Sequence, residues 1–193
     1  MLKNTKTSRG DTLIEVLFAI SIFSLVVVGA VSIMNQGTAI SQRALEITMV
    51  RNEIDAQAES LRFIHDSYIL AYPNATSGHA AEWGNIVAKS NNVTVASDLG
   101  TCPLPNINTF AINVKTAKLI DQANLTSTPS TYSQVRFDAL NQPTAEGIWI
   151  EAVPSASSGL RYIDFHIRAC WNSPGLSVPV TLGTIVRLYE PRG

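Results

Sequence analysis

At 193 residues the chain has room for one domain and an additional element, and a hydrophobic content of 46% excludes a disordered polymer. Charged residues make up only 15%, and the formal net charge is −1. Residues 1–10 hold Lys3, Lys6 and Arg9 and no acid, so the rest of the chain is acidic. That is the opposite of the basic footprint of a broad nucleic-acid surface, and no nucleic-acid partner is indicated.

Residues 16–34 read VLFAISIFSLVVVGAVSIM and carry no charge. As a helix they span roughly 28 Å, about the hydrocarbon thickness of a bilayer. The flank before them is basic, which places residues 1–10 in the cytoplasm and the bulk of the chain outside. Three uses of such a run compete. It is a plain anchor, or a secretory signal cut after Ala30, where Val28-Gly29-Ala30 has the small-residue spacing, or a segment with a structural task. Glu15, at the mouth of the run, favours the third, because a carboxylate at membrane depth usually has a partner.

The helical pattern does not stop at Met34. Residues 35–72 contain no proline, and Ile40, Ala44, Ile47, Val50, Ile54, Ala58, Leu61, Ile64 and Tyr68 form one apolar stripe at helical spacing. Gln42, Arg43, Glu46, Arg51, Glu53, Asp55, Glu59, Arg62 and Asp66 are expected on the opposite, solvated face. A helix over about residues 11–72 would be roughly 90 Å long, with its second half laid against a globular domain.

All 9 prolines follow, beginning with Pro73, which ends the helix. Residues 79–90 suit a short helix with Trp83, Ile86 and Val87 inward. Residues 91–101 and 125–133 read as loops. Residues 162–171 alternate as a strand, with Ile163, Phe165, Ile167, Ala169 and Trp171 on one face. Residues 109–114, 134–139, 147–153 and 181–189 are weaker strand candidates. The natural assembly is an antiparallel sheet packed on the stripe of residues 40–68.

Cys102 and Cys170 are the two cysteines. In an oxidising compartment they could form a disulfide, stabilising by about 4 kcal/mol in the chain-entropy model; otherwise they are two unrelated small apolar residues. His65, His79 and His166 are scattered without metal-ligand spacing, no acidic loop has the spacing for calcium, and no nucleophile or phosphate-loop motif occurs. The residues therefore indicate no enzyme and no cofactor. Asn74-Ala-Thr76, Asn92-Val-Thr94 and Asn124-Leu-Thr126 have the glycosylation form, which is frequent by chance.

Residues 9–20, Arg-Gly-Asp-Thr-Leu-Ile-Glu-Val-Leu-Phe-Ala-Ile, resemble the prepilin leader and mature start of type IV pilins and of type II secretion pseudopilins. That family has a short basic leader ending in Gly, a mature start of the form F-T-L-I-E and an apolar helix. Gly10 matches the last leader residue, and Glu15 the fifth mature one. The departure is Asp11, which stands where the family usually has Phe, so any methylation would fall on the Asp11 amine. The Arg-Gly-Asp tripeptide at residues 9–11 would be cut or buried at the membrane.

The resemblance implies an α+β, pilin-like fold: a long N-terminal helix packed on a C-terminal antiparallel β-sheet. It implies a leader at residues 1–10, a transmembrane or filament-core helix at 11–38, an amphipathic continuation at 39–72 and an extracytoplasmic domain at 73–193. It implies processing between Gly10 and Asp11 and assembly through Glu15. The partners implied are a prepilin peptidase, other pilin subunits, an assembly platform with its ATPase, and the membrane. Glu15-Val16-Leu17 followed by Phe-Ala-Ile is similar to minor pilins and minor pseudopilins. A type II secretion pseudopilin is the close alternative. A secreted or anchored adhesive or DNA-binding module is the alternative from another class.

Overall fold

The computed structural model of the protein describes residues 11–90, 102, 107–127, 129–155 and 161–191. The chain divides into two compact units, Met1–Gln42 and Arg43–Gly193. Helix α1, Asp11–Ala71, begins in the first unit and continues into the second. The expected leader, with Gly10, lies outside the described residues.

In the first unit α1 is the whole described structure, and its apolar side chains, from Leu13 through Met34, are exposed. Its hydroxyls are satisfied locally. Ser21 donates to the Leu17 carbonyl and Ser24 to the Ile20 carbonyl, each at 2.8 Å. Such back-bonding lowers the penalty of carrying a hydroxyl into an apolar setting.

In the second unit α1 buries one face. Val50, Ile54, Ala58, Leu61 and Ile64 join the core, with Ile47 and Tyr68 packed at its margins. The stripe read from the sequence is therefore covered only from Ile47 onward, and Ile40 remains 64% exposed. The solvated face needs a second correction. Arg43, Glu46 and Glu53 are half-buried, and the two glutamates bond residues of the β-region. They sit at the flanks of the stripe, where a long polar side chain reaches round to neighbouring strands.

Helix α2, Gly78–Lys89, follows the predicted boundaries closely and buries Ala80, Trp83 and Ile86. Trp83 ties the layers together: its ring lies 4.8 Å from that of His65, 6.0 Å from Tyr68 and 5.8 Å from Phe165.

The β-region is antiparallel-rich, as expected, but among the described residues its strands form three small sheets rather than one. Strands β1, Ala111–Asn113, and β2, Lys118–Ile120, form a hairpin. Strands β3, Leu125–Thr126, β4, Gln134–Phe137, and β5, Pro143–Glu146, pair in the order β3-β5-β4, with β3 and β5 parallel. Strands β6, Ile148–Pro154, β7, Tyr162–Trp171, and β8, Val180–Tyr189, form the antiparallel sheet that meets α1. β3 corrects the reading of residues 125–133 as loop, because Leu125 is buried and pairs Ala145. The loop expected at residues 91–101 lies outside the described residues.

In β7, the five residues expected inward are buried. Gly147, between β5 and β6, holds two sheets together. Its N–H donates to the Thr126 carbonyl at 2.7 Å, and its carbonyl accepts from Cys170 N–H at 2.8 Å. Its φ is +65°, and a Cβ there would stand 2.5 Å from the Cys170 carbonyl oxygen. Only glycine suits both demands.

Candidate processing and assembly site

The residues singled out at the N-terminus lie on or beside the first stretch of α1. Asp11 is the first helical residue. Glu15 is exposed, one turn further on, and is the single acid in residues 12–45. From Leu13 onward the helix is long and apolar enough to cross a membrane, and the most apolar part has no buried residue. A Cβ at Gly29 would meet nothing within 4 Å. The stretch is thus an apolar rod with one carboxylate near its start, and none of the described residues of its own unit covers it.

The second unit is keyed to its part of α1 by polar side chains that hydropathy cannot flag. Gln57 is fully buried; its Nε2 donates to the Ile112 carbonyl and its Oε1 accepts from Ile112 N–H, both at 2.7 Å. Glu46 Oε2 accepts from Trp171 Nε1 at 3.0 Å and from the Ser173 hydroxyl at 2.6 Å. Glu53 accepts from Val135 N–H at 3.2 Å. Burial pushes its carboxyl up, and the Val135 N–H partly offsets this. His65 Nε2 lies 2.9 Å from the Tyr189 carbonyl oxygen. A single carbonyl oxygen can only accept, so Nε2 carries the proton.

The structure joins Cys102 and Cys170 in a disulfide that closes a separation of 68 residues. It does not gather the histidines. His65 bonds the end of β8, His79 packs edge-on to Phe63, and His166 lies within β7. Among the described residues no group of three or more His, Cys, Asp or Glu side chains could hold a metal ion.

Residues 5–31 match the family model described as the prokaryotic N-terminal methylation motif. The chain thus carries the signature of type IV pilins and pseudopilins. No curated protein and no solved structure matches it significantly. The motif implies processing by a prepilin peptidase and assembly with other pilin subunits, and it points to a structural subunit rather than an enzyme. An apolar, exposed N-terminal helix fits a membrane-anchored pilin.

Proposed function

We propose that the chain is a structural subunit, of the minor kind, of a type IV pilus or related extracytoplasmic filament. A prepilin peptidase cuts between Gly10 and Asp11, removing Lys3, Lys6 and Arg9. The charges that hold the leader in the cytoplasm are lost, and an ammonium appears on Asp11. Glu15 of an incoming subunit then pairs with the Asp11 amine of a neighbour. Opposite charges attract strongly in a low-dielectric setting, and each is costly alone, so the pair sets axial register more than it adds net stability. The apolar run exchanges lipid for neighbouring helices, and Ser21, Ser24 and Gly29 permit close approach. An assembly platform and its ATPase drive insertion, and the domain of residues 73–193 lies outside the cytoplasm, where the Cys102–Cys170 bridge would persist.

The observation that carries this reading is the methylation motif at residues 5–31, on an exposed apolar stretch of helix in which Glu15 is the single acid of residues 12–45. The test is the N-terminus and intact mass of the chain from its native cell, with Glu15→Ala beside it. A chain starting at Asp11 is expected, and the variant should be processed and membrane-inserted but enter filaments about tenfold less often. A chain starting at Val31, or normal incorporation of the variant, overturns the proposal.

A further inference from the structure

After the cut between Gly10 and Asp11, residue 11 carries two charges. Its carboxylate carbon stands three bonds from the new ammonium nitrogen, so covalent geometry keeps it within roughly 4 Å in every rotamer. A first residue with an uncharged side chain, as in the form F-T-L-I-E, leaves the ammonium alone. Position 15 follows position 11 by one turn of α1, and it brings a second carboxylate.

One positive charge therefore stands against two negative ones. Nothing in the same unit restores the balance. Residues 12–42 contain no basic side chain, and the next charge after Glu15 is Arg43, which belongs to the other compact unit. The hydroxyls of Ser21 and Ser24 already donate to carbonyls of their own helix. In a low-dielectric setting an uncompensated charge is costly, so the count at each contact decides which contact forms. Where Glu15 meets an ammonium with no acid on its own residue, the contact is neutral. Where it meets the ammonium of a second copy, Asp11 of that copy stands at the same contact, and two carboxylates share one ammonium. The helix dipole does not alter the comparison, because it is present in both cases.

We propose that Asp11 decides the neighbour: Glu15 pairs with the amine of a different subunit, one whose first residue bears no acid, and not with a second copy of this chain. The inference rests on the anchored-subunit reading, in which Glu15 takes a neighbour's amine. A chain of this kind does not follow itself along a filament.

The test places a photoreactive residue at Ile14, which is 59% exposed and adjoins Glu15. The full chain is expressed in its native cell at the level of the most abundant subunit. Mass separates adducts between two copies from adducts with other subunits, and the intact mass shows where each chain starts. The wild-type chain should give adducts with other subunits and few with itself. Asp11→Asn and Asp11→Ser each leave the ammonium alone, and each should raise copy-to-copy adducts at least about tenfold. Glu15→Gln added to either should cancel the rise. Wild-type adducts between copies that match those with other subunits overturn the proposal, even where a variant escapes cleavage. The absence of a rise in cleaved variants, or a rise that survives Glu15→Gln, overturns it equally. A chain starting at Val31 removes the anchored-subunit reading and this inference together. A chain starting at Asp11 without the rise removes the inference alone.

Discussion

Gln57 stands in for a strand. The bridge between Phe110 and Ile150 begins a ladder on one side of β1, and Gln57 adds the next rung by bonding both backbone groups of Ile112. Gln57→Leu keeps the volume but leaves a buried N–H and a buried C=O unpaired, a loss of about 2–4 kcal/mol, readable as a lower urea midpoint with unchanged m. Glu53 behaves differently. Burial raises its folded pKa, so the folded chain binds its proton more tightly than the unfolded chain does. That contribution is fully present below the unfolded pKa and is lost as pH rises through the folded one. Glu53→Gln keeps an acceptor for Val135 N–H without the charge. Thermal melts should show the variant more stable by a few degrees at neutral pH, with the gap closing below the ordinary carboxylate range. A gap that widens in acid would contradict this. Neither role was legible in the sequence, since a glutamine and a glutamate on a helix read as solvated unless the strand ends they face are known.

At the scale of elements, legibility followed length and period. α1, α2 and β7 were readable because each repeats its pattern over several turns or alternations, and the inward face of β7 is the one expected. β2, β3 and β5 are strands of two to four residues, Lys-Leu-Ile, Leu-Thr and Pro-Thr-Ala-Glu, too short and too polar to show a period. They exist because neighbours pair them. Their junction with the larger sheet at Gly147 was equally hidden, because a glycine between strands signals only a turn. Gly147→Ala places a methyl group 2.5 Å from the Cys170 carbonyl oxygen and 2.9 Å from Pro129 Cδ and Ser133 Oγ, at a φ of +65°. A loss of about 2–4 kcal/mol is expected by chemical denaturation, enough to part β3-β5-β4 from β6-β7-β8. An unchanged midpoint would show that the junction gives way.

For the whole molecule, the sequence spoke clearly about delivery and little about purpose. Residues 5–31 carry a signature because a peptidase must read a linear stretch. The order β6-β7-β8 has no linear sign, because whether a strand is central or at an edge depends on pairing that segments far apart decide. One consequence lies in the order of synthesis. The face of α1 formed by Ile54, Leu61 and Ile64 emerges early, yet its cover includes Phe165, Val186 and Leu188, which come much later. Until β8 is made, the growing chain presents an apolar helix face that α2 and β1 cover only in part. Over that interval the half-finished chain carries the kind of exposed apolar surface that favours aggregation.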